Sequence, residues 1–166
     1  PRPKTYFLAG GRLVAYKRFD VIIDACNKTG LPLKIFGSGP VESDLRRRAK
    51  STIEFLGKVS DEEKQKLYAD ALAFINPQEE DFGITPVESL ACGRPVIAYR
   101  KGGATEILQE GLNGEFIETQ TWEEVADHLI RFNSASYDPH RIKASAERFG
   151  RERFKTELTQ LIDTLI

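Results

Sequence analysis

Ala71-Leu72-Ala73-Phe74-Ile75-Asn76-Pro77-Gln78-Glu79-Glu80-Asp81-Phe82-Gly83-Ile84-Thr85-Pro86-Val87-Glu88-Ser89-Leu90-Ala91-Cys92-Gly93 is the stretch that decides the fold. Its first five residues are an unbroken apolar run, the pattern of a strand covered on both faces of a parallel sheet. Residues 86–92 read as a short helix stopped by Gly93. Between the two lie the glutamates Glu80 and Glu88, eight positions apart, flanking the turn Phe82-Gly83-Ile84-Thr85-Pro86. In open α/β sheets ligands bind where a strand ends and a helix begins. Gly83 allows a ligand close to the backbone, and the helix N-terminus offers free N–H groups to an anion. A plainer reading fits the same residues. Thr85-Pro86-Val87-Glu88 has the form of a capping box, with Thr at the N-cap, Pro at N1 and Glu at N3. Glu88 would then fix the helix start, and Glu79-Glu80-Asp81 would be a solvated loop. The stretch alone leaves both readings open.

Outward from it, strand-like and helix-like segments alternate. Residues 5–9, 33–36, 53–56, 72–75, 95–99 and 114–117 read as strands. Residues 19–28, with Phe19, Ile22, Ile23 and Cys26 on one face, read as a helix. So do 41–50, 61–69, 105–109 and 121–132, the second of these capped by Ser60 with Glu63 at N3. Two further helices, 139–148 and 151–165, follow without another strand. Six strands alternating with helices imply an α/β fold, a doubly wound parallel sheet with helices on both faces and extra C-terminal helices. The stripe Leu158, Leu161, Ile162 and Leu165 on the final helix is expected to pack within the domain or to dock on another one.

A length of 166 residues suits a single domain. The formal net charge of −1 argues against a bulk nucleic-acid binder, and no apolar run approaches the roughly 20 residues of a membrane span. Cys26 and Cys92 lack metal or redox spacing and read as reduced core residues of a cytoplasmic protein. Pro1-Arg2-Pro3-Lys4 reads as a linker, so the chain is expected to be one domain, residues 1–166, of a longer protein.

Other loops at the same sheet edge carry chemistry. The first strand runs into Gly10-Gly11-Arg12-Leu13, with Lys17 five residues after Arg12. Glycine permits backbone approach, Arg offers a bidentate fork for phosphate, and Lys adds a point charge. Neither a P-loop nor GxGxxG is present. Gly37-Ser38-Gly39-Pro40, Gly57-Lys58-Val59-Ser60 and Gly102-Gly103-Ala104 follow later strands. In a parallel sheet these loops converge on one side. Arg46-Arg47-Arg48 reads as a solvated helix end, and His128 and His140 have no ligand spacing. Glu79-Glu80-Asp81 lacks the partners of a metal site.

These motifs resemble a known family. Gly11-Arg12-Leu13 with Lys17, Gly37-Ser38-Gly39-Pro40, Phe55-Leu56-Gly57-Lys58-Val59, and Glu80 through Ala98 resemble the C-terminal domain of retaining glycosyltransferases of family 4, of the two-domain, Rossmann-like GT-B class. The match runs in order along nearly the whole chain. Tyr16-Lys17-Arg18-Phe19-Asp20 and Glu79-Glu80-Asp81-Phe82-Gly83 look most like the lipopolysaccharide and O-antigen mannosyltransferase branch, with GDP-mannose as preferred donor. The resemblance implies that Arg12 and Lys17 bind the donor diphosphate and that Glu88 holds the ribose. Glu80 would contact the transferred sugar, helped by the N–H groups of Phe82, Gly83 and Ile84, with Thr85 in the same turn. Lys58 and Val59 would border the base and Gly37 would line the floor, with Gly11 also among the donor-binding residues. It implies Glu80, Arg12 and Lys17 as the groups acting on the reaction, with no metal and no cofactor. Arg18 departs from the Gly common after the clamp lysine, and Ala104 stands where Pro often precedes the Glu.

The implied reaction retains anomeric configuration, with the diphosphate leaving and no covalent nucleophile. The glycan or lipid-linked acceptor would belong to a further N-terminal domain, so this chain is expected to bind nucleotide weakly and transfer no sugar alone. Arg141, Lys143, Arg148, Arg151, Arg153 and Lys155 would permit peripheral contact with the inner membrane face. A non-catalytic nucleotide-sugar-binding module and a nucleotide-sugar epimerase on the same fold are the competing readings.

Overall fold

The computed structural model describes residues 5–165; the linker reading of Pro1-Arg2-Pro3-Lys4 falls outside the described residues. Six strands form one sheet: β1 (Phe7–Gly10), β2 (Leu33–Phe36), β3 (Ile53–Gly57), β4 (Phe74–Asn76), β5 (Val96–Tyr99) and β6 (Gly114–Ile117). Their order is β3-β2-β1-β4-β5-β6, and every neighbouring pair is parallel. Winding reverses between β1 and β4, so the loops leaving those two strands diverge and open a crevice at the carboxyl edge.

Helices cover both faces. α1 (Phe19–Thr29), α2 (Glu42–Arg48) and α6 (Trp122–Arg131) lie on one side. α3 (Asp61–Asp70), α4 (Ile84–Ala91), α5 (Ala104–Ile107) and α7 (Pro139–Ala146) lie on the other. The strands read as continuous apolar runs because each face needs its own core. Ala9, Ile35, Ile75, Ile97 and Ile117 point toward α1 and α6, while Leu8, Phe36, Phe74, Ala98 and Phe116 point toward α3, α4 and α5. Alternate side chains thus feed two cores of similar polarity, and the period-two signal of a half-solvated strand disappears.

Local chemistry sets the helix ends. α1 stops at Gly30, which takes φ 72° and donates its N–H to the Cys26 carbonyl at 2.9 Å. α3 begins with the expected capping box, Ser60 accepting from the Glu63 N–H while the Glu63 carboxylate accepts from the Ser60 N–H. α7 opens on Asp138, whose side chain accepts from the His140 N–H, and has Pro139 at its first position.

Three expectations need correction. The helix after Gly83 starts at Ile84, two residues earlier than the capping-box reading placed it. Gly83, at φ 94°, supplies the N-cap, no side chain caps it, and Thr85 and Pro86 lie within the first turn. Proline fits there because first-turn N–H groups have no partner inside the helix. Glu88 therefore sits beyond reach of the N-cap. Of the two readings of the final helix, packing within the domain fails: α8 (Arg151–Leu165) leaves Leu158, Leu161, Ile162 and Leu165 exposed, as it does Phe154. It continues the chain past the last strand, with no sheet face beneath it to cover. Cys26 is a core residue, but Cys92 is only half-buried, at the C-terminal end of α4.

Candidate functional site

The carboxyl edge is built on glycines that let backbones touch. Gly37 has φ 104°, and a Cβ placed there would lie 1.8 Å from the Gly11 carbonyl oxygen. Its N–H donates to the Gly57 carbonyl at 2.7 Å, and the Gly11 N–H to the Phe36 carbonyl at 3.1 Å. The turns after β1, β2 and β3 are thereby stitched into one floor. Arg12, exposed and without a hydrogen-bond or ion-pair partner among the described residues, lines a cleft of about 460 Å³ with Gly11, Gly37, Ser38 and Lys58. A second pair of turns, after β4 and β5, meets on the other side of the switch point. Gly103 donates its N–H to the Glu80 carbonyl at 2.8 Å, and a Cβ on Gly102 would lie 2.4 Å from that oxygen.

The loops after β1 and β4 bring their charged groups together. A short 3-10 turn, Ala15–Lys17, turns Lys17 back toward the loop after β4. Its Nζ stands 3.4 Å from Glu80 Oε2, and both side chains are mostly buried, at 11% and 18% exposure. Gln78 Nε2 donates to Glu80 Oε1 at 3.2 Å. Lys17 Nζ lies 3.5 Å from where a Gly11 Cβ would stand, and Glu80 Oε1 lies 3.3 Å from that point on Gly83. Thr85 completes the group, its methyl 4.0 Å from the Gly11 position. Gly11, Lys17, Glu80, Gly83 and Thr85 thus converge at the N-terminus of α4. An ammonium, a carboxylate and free backbone N–H groups here can hold an anion beside a hydroxylated group.

The remaining candidates divide. Lys58 is exposed at the rim, while Val59 is half-buried against the α3 side of the sheet. Phe82 and Ile84 are exposed, and the Phe82 ring meets Phe149 edge-on at 5.8 Å. Only the backbone of Phe82 and Ile84 therefore fits the role expected of them. Glu88 faces α3: its Oε1 accepts from Lys64 Nζ at 2.7 Å and its Oε2 from the Tyr68 hydroxyl at 3.1 Å. These side chains share a groove of about 650 Å³ with Cys92 and Lys143. The Glu88 hydrogen bond raises the Lys64 pKa. Burial, followed by Glu88, raises that of the Tyr68 hydroxyl far above the ordinary phenol range. Burial, followed by Glu88, also raises the Cys92 thiol. Among the described residues no group of three or more His, Cys, Asp or Glu side chains could hold a metal ion, and no helix is long and apolar enough to cross a membrane.

Sequence reading missed Gln78, Lys64 and Tyr68. The last two did leave a signal, since they stand four residues apart on one helix face. What they face, 24 and 20 residues away, is not encoded locally.

A family model for glycosyl transferases group 1 matches residues 1–149. The O-antigen chain mannosyltransferase C of Escherichia coli is 32% identical over 112 residues, covering 63% of this chain and 30% of that protein. A GDP-mannose-dependent alpha-(1-6)-phosphatidylinositol dimannoside mannosyltransferase of Mycobacterium tuberculosis is 32% identical over 146 residues, covering 83% of this chain and 38% of that protein. Anabaena Alr3699/HepE, solved in complex with UDP and glucose, superposes with a TM-score of 0.80 at 22% identity, covering 98% of this chain and 48% of that one. That likeness speaks to the fold. The chain spans about a third of the length of these curated relatives and about half of that solved structure.

Proposed function

The chain belongs to the glycosyl transferases group 1 family, and on that premise we propose that it is the donor-binding half of a retaining glycosyltransferase that moves mannose from GDP-mannose to a glycan or lipid-linked acceptor. The observation that carries this reading is the convergence of Lys17, Glu80, Gly11 and Gly83 on the N-terminus of α4 at the switch point. Arg12 and Lys17 bind the diphosphate. Lys17 is poised for this, because its present contact with Glu80 is long and can yield to a phosphate oxygen. Glu80, released from that contact but still held by Gln78, takes hydroxyls of the transferred sugar. Glu88 takes the ribose, and the Lys58-Val59 turn borders the base.

Cleavage of the sugar–phosphate bond builds negative charge on the departing diphosphate. On this reading Arg12, Lys17 and the N–H groups of Ile84 and Thr85 in the first turn of α4 stabilise that charge. Removing one such donor typically costs about 10²–10³ in rate. The acceptor and the groups that orient it belong to a second domain, so this chain binds donor without transferring sugar. The family resemblance supports retention of configuration and reaction without a metal. Names of relatives such as the mycobacterial enzyme support GDP-mannose. The proposed location is the cytoplasm, with the basic side chains of α7 and α8 contacting the inner membrane face in the full protein.

A thermal-shift panel of GDP-, UDP- and ADP-sugars tests the donor assignment, since a ligand that binds the folded state alone raises Tm with its affinity. GDP-mannose is expected to give the largest shift. A larger shift from a UDP- or ADP-sugar would replace the donor, and no shift from any would remove the donor-binding reading.

A further inference from the structure

Both oxygens of Glu88 are engaged from one neighbouring helix, Oε1 by Lys64 and Oε2 by Tyr68. The two donors are one helical turn apart, so α3 presents them side by side. An ionised carboxylate offers about four acceptor sites, which leaves two for a ligand. Tyr68 is itself held rigidly. It is 1% exposed, with its ring edge-on to Phe74 at 5.4 Å and to Phe36 at 5.8 Å. The start of α3 is fixed by the Ser60–Glu63 capping box, directly after Lys58 and Val59. One capped helix therefore links the turn assigned to the base with the carboxylate assigned to the ribose.

We propose that Lys64 and Tyr68 are positioning residues that hold the Glu88 carboxylate in the orientation that accepts a ribose diol. The proposal rests on the donor-site reading above. The terminal torsion of a glutamate is broad and roughly two-fold, so an unsupported carboxylate samples many planes. One donor on each oxygen fixes the plane and leaves one acceptor site on each oxygen for the two hydroxyls of a vicinal diol. Burial keeps Tyr68 protonated, and Glu88 keeps Lys64 charged, so both remain donors through the neutral range.

The test is calorimetric titration of GDP and UDP, each against its 2′,3′-dideoxy counterpart, on the native chain and on E88A, Y68F, K64M and K64R. The native chain is expected to prefer the ribonucleotide by about tenfold or more, as for hydrogen bonds to a charged group. E88A should lose that preference. Y68F and K64M should each reduce it about threefold or more with little change for the dideoxy compound, and K64R should restore it. A purely structural role would weaken both nucleotides alike, and that result would overturn the proposal. So would loss of the preference in E88A with full retention in Y68F and K64M, leaving Glu88 on the ribose. An unchanged preference in E88A would remove the ribose role of Glu88 itself, and the proposal with it.

Discussion

Replacing Gly37 by alanine probes the floor of the site more sharply than any charged substitution, because the cost can be set against a control in the next turn. At Gly37 a Cβ would lie 1.8 Å from the Gly11 carbonyl oxygen and 2.8 Å from its carbon, where ordinary contact begins near 3.4 Å. These are backbone atoms, so no side chain can swing away, and the turns after β1 and β2 must part. Parting them strains the hydrogen bond from the Gly11 N–H to the Phe36 carbonyl, worth about 1 kcal/mol. Overpacking adds about 1–3 kcal/mol, and a left-handed φ on an L residue another 1–2 kcal/mol or so. The total is about 3–6 kcal/mol, a large part of the roughly 5–15 kcal/mol that holds a domain together. Gly57 also has a left-handed φ, of 69°, but nothing lies within 4 Å of its Cβ position. Gly57→Ala should therefore cost only the backbone term, about 1–2 kcal/mol. Urea unfolding of both variants measures the difference. Equal costs would refute the claim that the loop floor is held by direct backbone contact.

Four further outcomes follow from the same geometry. Glu80→Gln should leave GDP affinity nearly unchanged but erase the extra affinity of GDP-mannose over GDP in calorimetry; a preserved difference would place the sugar elsewhere. Arg18 has φ 54°, and its guanidinium pairs with Asp20 at 3.2 Å, so Arg18→Gly loses the half-exposed ion pair but relieves the backbone. It should unfold at higher urea than Arg18→Ala, by about 1 kcal/mol. Ser60→Ala removes the cap of α3 and should cost about 1 kcal/mol of stability. The folded Lys64 pKa lies above its ordinary value of 10.5 through its bond to Glu88. Its contribution is therefore complete below that value and fades as pH rises through the folded one. The stability gap between the native chain and Lys64→Met should shrink above about pH 10.5, measured by urea midpoints.

The alternation of strands and helices was legible because the strands are short, mainly apolar runs and several helices carry a clear end signal, such as Gly30 after α1, the Ser60 capping box of α3 and Asp138-Pro139 at the start of α7. Strand order was not, since β1 lies between β2 and β4 through contacts that no local pattern contains. Lys17 and Glu80 could be nominated from their loops, yet their approach depends on two turns 63 residues apart. The start of α4 was misplaced because Thr85 and Pro86 carry strong start signals. The left-handed Gly83 wins by bringing the chain into the helix earlier. Lys64 and Tyr68 were overlooked because one looks like a surface lysine and the other like a core aromatic. Only the packing of α3 beside α4 reveals that their polar ends meet Glu88. The stripe on α8 shows the opposite limit: periodicity marks an apolar face but does not say what covers it.

We propose above all that the charged groups at the β1 and β4 loops bind a nucleoside diphosphate. Titration of GDP into the native chain and into the Arg12→Ala/Lys17→Ala double variant tests it most directly. Measurable binding to the native chain is expected, with a loss of about tenfold or more in the double variant, in line with hydrogen bonds to a charged ligand. The loss should shrink as salt rises and screens the exposed Arg12. Equal affinity of the two proteins, with both still folded, would contradict it.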